Sequence, residues 1–143
     1  MIRHFLALAC APLLAVAGCG GAPAGQDMAQ DLKFSEIRGT TFKNSCNFSS
    51  CHDSKAKAGG LDLQTDAHGS LVGVDPVIAA AKAKGLKRVV AGDEQKSLLY
   101  LKLVLPGMSD PDLGKRMPDT GQTLDAASIE QIKRWIKRGA PND

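Results

Sequence analysis

Residues 45–54 read "SCNFSSCHDS", and their chemistry decides how the rest of the chain is read. Cys46 and Cys51 are separated by four residues, and His52 follows the second cysteine directly. Two soft thiols and one imidazole therefore lie within one short stretch. The spacer ends in two small residues, Ser49 and Ser50. Such a set can serve several chemistries, and the surrounding sequence has to choose among them.

Upstream, residues 33–45 ("KFSEIRGTTFKNS") are expected to form a helix that runs directly into Cys46. Phe34, Ile37 and Thr41 share one face at helical spacing, with Phe42 close to it, and Gly39 weakens the pattern. Downstream, residues 55–74 read as loop. They carry Gly59, Gly60, Gly69 and Gly73, with a short extended piece at Leu61-Asp62-Leu63. Residues 75–85 ("DPVIAAAKAKG") suit a short helix with Asp75 as cap, Pro76 in its first position and Gly85 at its end.

Residues 92–107 suit a second helix. Asp93 is its expected cap, Leu98, Leu101 and Leu105 recur on one face, and Leu99 and Lys102 lie beside them. Pro106-Gly107 stops it, and a long loop follows through residue 123. The last helix has the clearest pattern. Asp125 can cap it, and Ile129, Ile132, Trp135 and Ile136 form its apolar face. Trp135 reads as packing core rather than as an electron relay. Lys137 and Arg138 suit the C-terminal end of the dipole, and Gly139 and Pro141 end the helix. No stretch is strand-rich, so the expected fold class is all-α with long loops. Aromatic residues make up only 4% of the chain. Long loops with so few large side chains are hard to stabilise alone, and a large buried cofactor would supply the missing apolar surface.

The 143 residues suit one domain, and they open with a basic start at Arg3 and His4. The apolar run that follows, residues 5–17, has the length of a signal peptide and is too short for a mature membrane span. It ends in "VAGC" at residues 16–19, which looks like the lipobox of bacterial lipoproteins, with Val16 where leucine is usual. That likeness implies a signal peptide over 1–18, lipid on Cys19 and a flexible Gly/Ala/Pro/Gln tether over 19–32. The folded domain then occupies 33–143, held at the periplasmic or outer-membrane side of a bacterial envelope. An ordinary secretory signal is the plainer alternative. Processing removes Cys10 and His4 and leaves Cys46, Cys51, His52 and His68 in the mature body. Losing residues 1–18 removes one basic residue, Arg3, so the charge stays near balance. Nothing resembles a basic arm, so no nucleic-acid partner is expected.

The thiol pair with its adjacent histidine fits covalent haem attachment. Two thiols add to the two vinyl groups, and the imidazole beside the second lies under the iron. A Cys46–Cys51 disulfide also fits an exported chain, though it has no use for the histidine. A zinc site would need Cys46, Cys51, His52 and His68, with adjacent residues sharing one tetrahedral ion, which is unusual.

Three blocks resemble the small cytochrome c-like domains of bacterial exported proteins and lipoproteins. They are "NSCNFSSCHDSKAKAGGLDL" (44–63), "RVVAGDEQKSLLYLKL" (88–103) and "RMPDTGQTLDAASIEQIKRWIKRGAP" (116–141). The resemblance spans roughly residues 34–141 and rests on the order and spacing of the blocks. It implies a class I cytochrome c-like helical fold with the first and last helices packed across one another. It also implies one haem c bound through Cys46 and Cys51, His52 as proximal ligand, Met117 as the sixth ligand, and Arg88 near the haem at a propionate. The four-residue spacer departs from the usual two, and Ser49-Ser50 are small enough to bulge. His68 and Met108 follow Met117 as candidates for the sixth ligand. The function so implied is single-electron transfer by a monomer to redox partner proteins of the envelope, not enzymatic turnover. A haem-free lipoprotein module closed by the disulfide, with an interaction or structural role, is the alternative. A five-coordinate haem reacting with peroxide ranks last, because no distal histidine-arginine pair is visible.

Overall fold

The computed structural model describes residues 31–143. The signal peptide at 1–18, Cys19 and the tether up to residue 30 lie outside the described residues. Leu32, at the end of the expected tether, is already part of the body. Its N–H donates to Gln131 Oε1 at 3.3 Å and its carbonyl accepts from Arg138 at 2.7 Å.

Helix α1 (Phe34–Ile37) continues through a π-helical turn (Arg38–Phe42) into α2 (Lys43–Ser45). The turn is widened by a bond from Lys43 N–H to Arg38 O, five residues back. That extra residue places Phe42 on the inner side with Phe34 and Ile37, while Thr41 is only half-buried. The inner face therefore differs from the one a regular helical spacing predicts.

Against this run lies the last helix, α6 (Ala126–Lys137). Asp125 caps it by accepting from Ser128 N–H at 2.8 Å, and Gly139, at φ +100°, lets the chain leave it. Ile132, Trp135 and Ile136 are fully buried. Phe34 stacks on Trp135 with ring centres 4.8 Å apart, and Phe42 meets Phe34 edge-on. The crossing is closed at its end by Asp143, which accepts from Phe34 N–H and from Arg138.

Between these helices the chain departs from expectation in three places. Residues 67–71, read as loop, form α3 (Ala67–Leu71), capped by Asp66 through Gly69 N–H. Helix α4 (Ala79–Ala83) starts after Ile78, not at Asp75, whose carboxylate instead pairs with Lys82 and Lys87. Asp93 caps a 3₁₀ turn (Glu94–Lys96), and α5 (Leu98–Leu103) follows as a separate helix with Leu105 beyond its end.

The all-α expectation is corrected by strands in the long loop. Strands β1 (Ser109–Asp110) and β2 (Gly114–Lys115) pair antiparallel, Ser109 with Lys115 and Asp110 with Gly114. The Asp110 carboxylate accepts from Asp112 and Leu113 N–H and folds the turn, and Gly114 reverses it at φ +75°. Isolated bridges join Val72 to Val89 and Lys87 to Ser97 in parallel. The described chain is thus a mixed fold of short helices with a small antiparallel sheet. Two apolar clusters hold it. The larger centres on the α1–α6 crossing, and the smaller joins Ala81, Leu86 and Leu98.

Candidate functional site

Helix α2 delivers the chain to Cys46, and the motif then closes on itself. Cys46 N–H continues the helix onto Phe42 O at 3.0 Å. Cys51 N–H turns back to Phe48 O at 2.8 Å, leaving Ser49 and Ser50 exposed at the tip. His52 N–H then returns to Cys46 O at 3.2 Å. The longer spacer is absorbed in this turn, and both cysteines and the histidine end on one side. Cys46 and Cys51 are free thiols.

That side is the wall of a cavity of about 500 Å³. Leu61, Leu63, Leu71, Leu98, Leu99 and Leu103 make it apolar, and Arg88 and Lys102 are the cations along it. Met117 lines it too, from the loop between β2 and α6, where its N–H donates to Lys102 O at 3.1 Å. The structure therefore brings together Cys46, Cys51, His52, Arg88 and Met117. It sends the other two candidates elsewhere. His68 Nε2 donates to Ala140 O at 2.9 Å, with its ring against Phe34 and Trp135. Met108 is exposed, and its sulfur accepts from Arg116 at 3.3 Å. Without His68 the four-ligand zinc set does not assemble, and among the described residues no three His, Cys, Asp or Glu side chains gather to hold a metal ion.

The imidazole of His52 is held chiefly by the Ala58 carbonyl. Its Nδ1 lies 2.9 Å from Ala58 O, so Nδ1 carries the proton and Nε2 carries the lone pair. Burial lowers the pKa of His52, with Lys102 and Arg88 pushing the same way against the carbonyls of Ala58 and Leu61. The ring is held neutral, the form that binds a metal. Burial, with Cys51 beside it, pushes the Cys46 thiol up to about 12. It is protonated at neutral pH and is no free nucleophile.

The donor set suits a haem. Two thiols stand beside an imidazole, a thioether shares the cavity, and the apolar walls carry Arg88 and Lys102, with Asp119 near Lys102. The volume falls within the roughly 300–1,000 Å³ of cavities that take small organic cofactors. No protein-family model, curated protein or solved structure matches the chain.

Two contributors escaped the sequence. Lys102 reads only as a neighbour of the apolar helix face, yet it is half-buried on the cavity wall, and burial lowers its pKa. The partner of His52 is the Ala58 carbonyl, a backbone group that no residue type announces. The Gly59-Gly60 pair beside it was the one available signal of a tight turn.

Proposed function

We propose that the chain is a monohaem c-type cytochrome that carries single electrons in the bacterial cell envelope. The observation that carries this reading is the convergence of Cys46, Cys51, His52 and Met117 on one apolar cavity. They come from two segments 65 to 71 residues apart in the sequence. Cys46 and Cys51 would hold the haem through thioethers, with His52 and Met117 as ligands to its iron. Bound there, the haem supplies a one-electron couple. The protein's own part is to fix the ligands and exclude water. The Ala58 carbonyl orients His52, the Met117 backbone is fixed to Lys102 O, and the leucines lower the local dielectric. Lys102 and Arg88 favour carboxylates at the cavity wall, as the propionates of a haem require. Lipid on Cys19 would keep this domain at the periplasmic or outer-membrane face, within reach of redox partner proteins.

The test is expression with a c-type maturation system. The mature protein is expected to keep its haem through acid-acetone extraction and denaturing gels, and the Cys46→Ser/Cys51→Ser double variant to lose it. A purified protein without a Soret band, its two thiols oxidised to each other, overturns the reading in favour of a disulfide-closed module.

A further inference from the structure

Arg88 stands at the cavity with an unusual set of partners. Its guanidinium is directed at backbone oxygens. Nη1 donates to Gly60 O at 3.1 Å and to Ser70 O at 2.8 Å, and Nη2 donates to Gly59 O at 2.8 Å. The base of the side chain is equally fixed. Arg88 N–H donates to Val74 O at 2.8 Å, and Leu99 N–H donates to Arg88 O at 3.0 Å. A rigid, planar fork on a pinned backbone thus gathers a turn from far away in sequence.

The gathered turn is the 3₁₀ turn Ala58–Gly60. Gly59 and Gly60 both take positive φ, +64° and +69°, and a Cβ on Gly60 would stand 3.2 Å from Arg88 Nη2. The approach is close enough that glycine is the residue that fits without a shift. Ala58 opens this turn. Its N–H donates to Cys51 O at 2.8 Å, and its carbonyl accepts the Nδ1 proton of His52 at 2.9 Å. The hydrogen bonds from Arg88 and the one from His52 therefore meet on the same short turn, on neighbouring carbonyls joined by its backbone.

We propose that Arg88 is a positioning residue for His52. It holds the Ala58–Gly60 turn, the turn holds the Nδ1 proton, and this fixes Nε2 as the nitrogen left to bind metal. The carbonyl also makes the imidazole a more basic ligand. The consequence at iron rests on the haem reading above, whereas the link through the Ala58–Gly60 turn stands on the protein alone. Lysine in place of Arg88 keeps the charge but offers a point donor that cannot span three carbonyls.

The test uses the full-length chain matured as above, as wild type, Arg88→Lys and Arg88→Met, with proton and ¹⁵N NMR of the His52 ring in the reduced protein. The wild type is expected to show one tautomer with a slowly exchanging Nδ1 proton. Both variants are expected to exchange it roughly tenfold faster, the loss of about one hydrogen bond. The reduction potential gives a second readout. Arg88→Lys is expected to raise it, because a less basic imidazole favours ferrous iron. Arg88→Met is expected to lie below Arg88→Lys, because a positive charge is also gone. Gly60→Ala presses on the same contact from the other side and serves where Arg88→Met fails to fold; its Nδ1 exchange is expected to quicken too. Wild-type Nδ1 exchange in Arg88→Lys and Gly60→Ala overturns the proposal. A chain that binds no haem removes the potential readout and the proposed function together. The NMR of His52 in that same chain still decides the role of Arg88.

Discussion

His52 and His68 are each fixed by one ring nitrogen on a backbone carbonyl, and both bonds measure 2.9 Å. What surrounds them differs. The His68 ring lies edge-on to Phe34 at 5.3 Å and to Trp135 at 6.4 Å, inside the helix crossing. The His52 ring lines an open apolar cavity beside two thiols and a methionine. A hydrogen bond to a histidine therefore does not reveal its role. The surroundings of the second nitrogen do. His68 is part of the packing between the first and last helices, while His52 keeps a lone pair where a ligand can sit.

The comparison breaks most violently on the packed side. Trp135 is fully buried, stacks on Phe34, and donates Nε1–H to Pro141 O at 2.9 Å. Trp135→Ala is expected to cost about 3–5 kcal/mol of folding stability, measured by urea unfolding. A loss under about 1 kcal/mol would mean that the crossing does not carry the fold.

The next effect separates the two histidine regions by their readouts. Met117→Ala is expected to keep covalent haem and most helicity but to abolish the weak sulfur-to-ferric-iron absorption in the deep red. On the proposed haem reading it should lower the potential and open the iron to carbon monoxide, because the thioether proposed as its ligand is gone. His68→Ala is expected to do none of this. It should instead cost about 1–3 kcal/mol of stability, by leaving the Ala140 carbonyl without its donor and removing the ring contacts. Iron that opens in His68→Ala and stays closed in Met117→Ala would exchange the roles of the two regions.

The same contrast explains what was legible beforehand. Helix α6 follows from local pattern, since Asp125, the apolar spacing and Gly139 all act within the segment. The candidate site residues stand out in the sequence because thiol, imidazole and thioether are rare and chemically distinct, although their meeting on one cavity depends on the fold. Thr41 and Phe42 exchange rank on the inner face because a single π turn shifts that face without changing the residues. Helix α3 was missed because Gly69 and its short length hide it. It is held by distant bonds, including Val89 N–H to Leu71 O at 3.1 Å. The strands were missed because each has two residues and depends on the Asp110 turn. Asp75 was assigned the wrong task for a related reason. A cap is a local role, while its carboxylate joins Lys82 within the helix to Lys87 beyond its end.

Asp75 yields the smallest effect and sharpens the comparison from the cavity side. Its neighbours Pro76, Val77 and Ile78 line the cavity, so this edge is tied down by exposed charge, whereas the helix crossing is tied down by buried rings. Hydrogen bonds from Lys87 and then Lys82 hold the Asp75 carboxyl down to about 2, from an ordinary 3.8. A depressed carboxyl contributes stability that is fully present above its unfolded value and is lost as pH falls through the folded one. The window is therefore about pH 4 down to about pH 2. Asp75→Asn is expected to lower the melting temperature slightly and by a constant amount near neutral pH, and the difference from wild type should close across that window. Salt near 1 M should shrink it as well, because the pairs are exposed and the screening length is then only about 3 Å. Amide exchange should quicken around residues 76–86 and stay unchanged in α6. A difference that persists unchanged at pH 2 and in high salt would show that Asp75 acts by shape rather than charge, and the contrast between a charge-held cavity edge and a ring-packed crossing would fail.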